Sequence, residues 1–557
     1  MENKMTGSQS LIQSMINQGI KYVFGIPGAK VDQLFEDLKD CSDPKAPKLI
    51  IARHEQNAAF IAAAIGRLTD TPGVVAVTSG PGVSNLATGL ITATSEGDPI
   101  IAIGGQVKRD DVLRLTHQSI PSAALMSSVT KKSVEVEDSN NISETFSNAF
   151  ITAQSPKKGA AFISLPQDIL GETTDRKPIQ KLPVLNNGSV DKSQMKEIAK
   201  LITHAKKPVF LAGMRASTEG NSEALHRLLK KFSIPVVETY QGAGVISRDL
   251  VDNYYGRVGL FDNQIGDTIL KESDLVIAIG YDPVEYEARN WNVNDADIIN
   301  IDTVSPEITA DYQPNIIVNA DIGESIDALN EFLPNNLSLD DDVQEHLSSL
   351  KDYFENKTEM NYETTENGLH PLSIIQSIQN FVNDDMTVTV DVGSHYIWMG
   401  RYFKTYKPRH LLFSNGMQTL GVSLPWAIGA ALTRPDQPVI SISGDGGFLF
   451  SGQELETAVR LNLNIIQIIW VDGYYDMVKF QEVAKYGHDA GVKLGYVDYV
   501  KYADSFGATG YRVKDVDELD ATLKQSQQVD GPVVIEVPVE YKDNIKLKTK
   551  IIPNELN

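Results

Sequence analysis

Short apolar runs that stop at glycine-rich turns recur along this 557-residue chain. In residues 1–180 the runs are Ile20–Phe24, Leu49–Ala52, Val74–Thr78 and Pro99–Ile103. They end at Gly25-Ile26-Pro27-Gly28, Arg53-His54-Glu55, Ser79-Gly80-Pro81-Gly82 and Gly104-Gly105. Helix-patterned segments, Asn57–Leu68 and Asn85–Thr94, lie between them. Apolar runs alternating with helices of this length predict parallel sheets covered by helices on both faces. The same pattern returns in residues 190–335, with runs at Pro208–Ala212, Pro235–Glu238, Leu275–Ile279 and Ile298–Ile301. It returns again in 369–545, at Thr387–Val390, Pro438–Ser443, Ile465–Val471 and Pro532–Val537. The expectation is an α/β chain of three open, mostly parallel-sheet domains: 1–180, 190–335 and 369–545. Residues 172–189 are polar with two prolines and read as a linker. Residues 336–368 are acidic, helical in part, and read as a second connector. The last dozen residues read as a polar tail.

Composition narrows the class of partner more than the chemistry. The length suits about three domains. A net charge of −23 argues against nucleic acid or an anionic membrane as a partner. No run of about 18 apolar residues is present, so no membrane span is expected. The polar N-terminal stretch lacks the apolar centre of a signal peptide, and the single cysteine, Cys41, fits a reducing cytoplasm.

Candidate chemistry gathers where apolar runs end. Gly444-Asp445-Gly446-Gly447 closes one run, and Asp472 closes the next, 27 residues after Asp445. Glycine and aspartate also turn chains and cap helices, so Gly-Asp-Gly alone says little. Two such strand ends about one crossover apart place two carboxylates at the edge where open α/β sheets bind ligands. Oxygen ligands there suit Mg²⁺, with a carbonyl near Tyr474 as a third, and glycine N–H groups suit phosphate. Asp391-Val392-Gly393-Ser394-His395 ends a further run and offers donors to the same phosphates. Glu55 opens an alanine-rich helix at the first block's strand edge. There it can cap the helix or face a ligand, and spacing does not decide between the two.

Taken together, VFGIPGAKVDQLF, ARHEQNAAFIAAAIGR, TSGPGVSN, SEGDPIIAIGGQV, SNGMQTLGVSLPWAIGA and GDGGFLFSGQELETAVRLN resemble the thiamine-diphosphate enzymes. The similarity spans nearly the whole chain. Within that family it is greatest to the catabolic, FAD-independent acetolactate synthases of bacteria. The resemblance implies a pyrimidine-binding and a diphosphate-binding domain flanking a central Rossmann-like domain. It implies thiamine diphosphate and Mg²⁺ as cofactors. Asp445, Asp472 and the Tyr474 carbonyl match the metal ligands. Gly393, Ser394, His395, Gly446 and Gly447 match the diphosphate grip. Glu55 matches the glutamate that hydrogen-bonds the aminopyrimidine. Leu420 matches the apolar wedge beneath the bent cofactor, and the Gln418 carbonyl matches the acceptor for its amino group. Two departures stand out: Asp472-Gly473 replaces the family's usual Asn-Asn, and Leu420 replaces a frequent Met.

The resemblance also implies the reaction: two pyruvates give 2-acetolactate and CO₂, toward acetoin or butanediol. Pyruvate decarboxylases carry a His-His pair where this chain has Thr116-His117-Gln118-Ser119, and Gln118 matches the glutamine of the acetolactate synthases. Met477 and Val478, just past Asp472, are expected to wall the pocket. Biosynthetic acetohydroxyacid synthases carry Trp where this chain has Gln481, which points to pyruvate as both substrates. Lys30 has a counterpart in the catabolic enzymes and suits a pyruvate carboxylate, although a loop lysine is as often merely exposed. FAD, used by pyruvate oxidase and the biosynthetic synthases, is not expected, since the central block lacks GxGxxG. Those two enzymes are the alternatives. Because Glu55 and the metal site come from different subunits in this family, a homodimer or homotetramer with interfacial active sites is implied.

Overall fold

The computed structural model describes residues 4–547 except 70, 186, 336 and 359–363. The expected tail therefore lies, from residue 548 onward, outside the described residues, as do parts of the two connectors. Three six-stranded sheets carry the chain. In the first, the strands run in the order 48–51, 22–25, 73–77, 100–106, 160–166 and 132–135. In the second the order is 254–258, 236–239, 208–212, 275–279, 297–302 and 316–319. In the third it is 411–412, 387–390, 439–444, 465–471, 533–538 and 509–512. All pairings within these sheets are parallel.

Every apolar run named above is a strand, to within three residues at either end. The strands without a strong sequence signal are mostly edge strands. Lys132–Glu135 and Thr509–Arg512 are half-exposed and mixed in polarity, so they lack a continuous apolar run. Ala160–Pro166 is interior but opens on two alanines, which lack the β-branched signature. The linker is partly ordered: Thr173–Thr174 pairs antiparallel with Met5–Thr6. Among the described residues, no helix is long and apolar enough to cross a membrane.

The first and third sheets share one core. Helix Glu55–Thr69 covers the first sheet, helix Ser423–Thr433 covers the third, and the two pack against each other. Ala58, Ala59, Ala62 and Ala63 join Leu424, Ala427, Ile428 and Ala430 in a single buried cluster. Small residues allow the close approach: a Cβ at Gly429 would stand 2.6 Å from the Ala64 Cβ. The alanine-rich sequence of the first helix, favourable for helix formation in itself, thus also sets how near the two sheets lie.

Candidate active site

The strand Val439–Gly444 delivers Asp445 and the strand Ile465–Val471 delivers Asp472 to the same carboxyl edge. The two strands are adjacent, and Gly444 lies in register with Trp470. Asp445 is 5% exposed, and its two carboxylate oxygens accept from Gly446 N (2.9 Å) and Gly473 N (2.8 Å). The second bond comes from the Asp472 turn, where Gly473 has φ +77°, a left-handed conformation that favours glycine. Asp472 accepts from Tyr474 N at 3.3 Å. Burial, then the charges of Asp476 and Asp445, push the Asp472 carboxyl up to about 8. Burial also raises Asp445 and Asp476.

A cavity of about 170 Å³ opens on these carboxylates. Gly393, Ser394 and His395 line it from the turn after the strand Thr387–Val390, and Gln418 and Leu420 from a neighbouring loop. Gly446 and Gly447 line it beside Asp445, and Tyr474, Met477 and Val478 beside Asp472. Apart from Asp391 and Gln481, the third-block residues expected at the site therefore meet at one cavity. Gln481 is not in the lining, and its side chain donates back to the Met477 carbonyl of its own helix (3.0 Å).

Several cavity residues were not singled out by sequence. Trp470 and Asp476 flank Asp472 and were within reach of a closer reading of that turn. Tyr541 arrives from far along the chain with no local signal. Asp391, fully buried, accepts from Val392 N, both N and Oγ of Ser423, and Gly421 N at 2.9 and 3.0 Å. It thereby ties the Gly393 turn to the Gln418 loop. Burial pushes its carboxyl up to about 6. Gln418 itself has φ +49°, a conformation uncommon for a side-chain-bearing residue and often met at ligand sites.

The donor set fits a metal–diphosphate. His395 Nε2 is buried without a partner, and burial lowers its pKa to about 3, so the ring is neutral. The one N–H of a neutral ring is engaged by the Asp391 backbone, so the open Nε2 faces the cavity as an acceptor. The glycines form a cradle: a Cβ would stand 2.6 Å from the His395 ring at Gly393 and 2.6 Å from the Tyr475 ring at Gly446. Among the described residues no group of three His, Cys, Asp or Glu side chains forms a metal site. The candidate set is two carboxylates with a backbone carbonyl.

The first sheet's carboxyl edge carries Glu55, Gln118 and Lys30. Glu55 does not cap its helix: His54 Nδ1 accepts from Gln56 N (3.2 Å) instead. The Glu55 carboxylate accepts from Asn85 Nδ2 (2.9 Å) on helix Pro81–Glu96. Gln118 has φ +63° and lies against Gly80, where a Cβ would stand 3.1 Å from its own. Lys30 Nζ donates to Gln167 Oε1 (3.3 Å). None of these three residues lines the cavity around Asp445. The exposed side chains of Leu113 and Leu115 sit just before Gln118.

A larger cavity, about 440 Å³, lies elsewhere, between the central sheet and its neighbours. Three of its cationic lining residues are engaged internally. Arg215 pairs with Asp282 and Asp302, Lys157 with Asp282, and Arg67 with Asp98.

Comparison with known proteins places this geometry in a family. Residues 5–126 match the N-terminal TPP binding domain of thiamine pyrophosphate enzymes, 195–329 the central domain, and 391–537 the C-terminal TPP binding domain. The chain is 49% identical over 554 residues to an acetolactate synthase of Bacillus subtilis, covering 99% of this chain and 96% of that protein. It is 44% identical to the catabolic acetolactate synthase of Raoultella terrigena, covering 97% and 96%. It is 29% identical to a chloroplastic acetolactate synthase of Nicotiana tabacum, covering 97% and 83%. Asp445 and Asp472 fall within the C-terminal match and Glu55 within the N-terminal one, and the chain belongs to the acetolactate synthase family of thiamine pyrophosphate enzymes.

Proposed function

We propose that this chain is an acetolactate synthase that converts two pyruvates into 2-acetolactate and CO₂, with thiamine diphosphate and Mg²⁺ as cofactors. The observation that carries the site assignment is the convergence of Asp445, Asp472, Tyr474, the Gly393–His395 turn and the Gln418 loop on one cavity. Asp445, Asp472 and the Tyr474 carbonyl hold the metal, which offsets the mutual repulsion of carboxylates crowded in a buried site. The Gly393 and Gly446 cradle leaves room for the diphosphate, with the His395 ring beside it. The Gln418 carbonyl would accept from the pyrimidine amino group, and Leu420 would pack against the cofactor. When bound, the cofactor supplies the carbanion-stabilising chemistry that protein side chains lack.

Glu55 holds a proton at the pyrimidine ring. Since it lies outside the Asp445 cavity, a second copy of the chain brings its own Glu55 and Gln118 to that cavity, making a homodimer or homotetramer. The exposed Leu113 and Leu115 beside Gln118, and Leu449, Phe450 and Val478 beside the cavity, support such an interface. Met477 and Val478 wall the pyruvate pocket and exclude water. Lys30 and Gln481 stand further out and act on substrate only through the assembled interface. The internal pairing of Arg215, Lys157 and Arg67 supports a chain that works without FAD. A cytoplasmic location, with acetolactate feeding acetoin formation, completes the reading.

Incubating the protein with pyruvate, thiamine diphosphate and Mg²⁺, without FAD, is expected to yield acetolactate, detected as acetoin after acid treatment. Acetaldehyde, or acetyl phosphate with peroxide, as the main product would overturn the assignment.

A further inference from the structure

Two buried glutamates reach across the boundary between the first and third sheets, in opposite directions. Glu96 ends helix Pro81–Glu96 of the first, and its side chain is fully buried. Its Oε1 accepts from Ser414 Oγ (3.0 Å), Gly416 N (3.0 Å) and Met417 N (3.4 Å), and its Oε2 from Asn415 N (3.3 Å). These donors form the start of the loop that carries Gln418 and Leu420. Thr92, one turn earlier on the same helix, donates to Thr88 O, so the Thr419 hydroxyl must be the donor in the 2.8 Å Thr92–Thr419 contact. Gly416 permits this approach, because a Cβ there would stand 2.2 Å from Ser95 Oγ.

Glu454 makes the reverse connection. It follows the Asp445 turn in the third sheet's domain and is fully buried. Its Oε1 accepts from Arg53 N (2.9 Å), His54 N (3.1 Å) and Asn57 Nδ2 (3.1 Å), the groups that surround the backbone of Glu55. Its Oε2 accepts from Thr457 Oγ1 (2.7 Å). Neither carboxylate lines the Asp445 cavity.

We propose that Glu96 and Glu454 are reciprocal positioning residues: Glu96 sets the Gln418–Leu420 loop, and Glu454 sets the turn that presents Glu55. Each carboxylate gathers backbone N–H groups that would otherwise be buried unpaired, and so fixes a loop in a conformation it would not hold alone. Gln418, with its left-handed backbone, is the residue most in need of such support. The two clasps act on different functions. Glu96 acts on how well the cavity holds its cofactor, and Glu454 acts on the acid–base group of the reaction. This rests on the reading of the cavity and of Glu55 given above.

The test uses the full chain. Apoprotein variants are titrated with thiamine diphosphate and Mg²⁺ by tryptophan fluorescence, with Trp470 in the cavity wall as the reporter. Turnover of pyruvate is then measured at saturating cofactor. E96Q places an amide N–H against the Asn415 N–H and is expected to weaken cofactor binding about tenfold, with kcat within about twofold of wild type. E454A is expected to lower kcat about tenfold with cofactor affinity within about twofold, and E454Q, which keeps the acceptor oxygen, to recover most of it. If E454A does not fold, Thr457→Val, which frees the other carboxylate oxygen, should show the same loss in kcat alone at about threefold. Both variants changing affinity and kcat in parallel, or neither changing either, overturns the proposal. Asp445→Asn serves as the control: if it leaves cofactor binding intact, the cavity assignment itself fails, whereas if it abolishes binding while E96Q has no effect, only the Glu96 clasp fails.

Discussion

At the carboxyl edge of the first sheet, the Glu55 carboxylate is held by one side-chain hydrogen bond, from Asn85. At the edge of the third sheet, Asp445 is held by two backbone N–H groups, and Asp391 by those of Val392, Gly421 and Ser423. The difference matches the work the proposed function gives each edge. A metal and a diphosphate bring fixed charge, and a cage of oriented dipoles is stable only where that charge sits. A group that exchanges a proton must tolerate both of its protonation states, and each backbone donor added to a carboxylate favours the ionised one. On the function proposed above, one edge is built for binding and the other for turnover.

Substitution separates the two. Asp445→Asn should weaken Mg²⁺-dependent cofactor binding by at least about a hundredfold, since even outer-shell partners of a metal site are worth up to that much. Retained binding, measured by titration of the apoprotein, would break the contrast. Glu55→Gln should lower kcat by about a hundredfold or more while cofactor affinity stays within about threefold, as for loss of a positioned acid–base group. Loss of cofactor from that variant would mean that the first edge also binds. The smallest effect concerns His395. Its folded pKa, about 3, lies below the ordinary value of 6.5, so between those limits only the unfolded chain takes up a proton. The stability tied to the neutral ring is fully present above about 6.5 and is lost as pH falls toward 3. A H395Q variant lacks that dependence. Wild-type Tm minus variant Tm, measured on apoprotein, should thus shrink between pH 7 and pH 5. An unchanged or widening gap would show that the ring is not held neutral.

Much of the third edge was legible because its chemistry is local. Asp445 and Asp472 each follow an apolar strand directly, and adjacent parallel strands must bring their carboxyl ends together. Asp391 sits at an equally visible strand end, yet its partners Gly421 and Ser423 lie some 30 residues on, and no spacing rule links them. Tyr541 is more distant still. The first edge was less legible. Sequence left Glu55 between helix cap and ligand contact, and only the position of His54 Nδ1 shows that the cap is supplied elsewhere. Gln481 illustrates the opposite limit: a residue beside the site in sequence whose side chain turns back to its own helix. Edge strands such as Thr509–Arg512 went unread because their burial is lent by neighbours and not written in their own pattern.

The seam of small side chains between helices Glu55–Thr69 and Ser423–Thr433 has a consequence for how such a chain can change. With a hypothetical methyl at Gly429 only 2.6 Å from Ala64, the seam has no slack. Enlarging a residue there would act as a shim and tilt one outer sheet against the other without touching a single reactive group. Substitutions along this line would then tune the fit between the two outer sheets' edges from a distance, and a swap of one outer domain between relatives would succeed only if both sides of the seam travelled together.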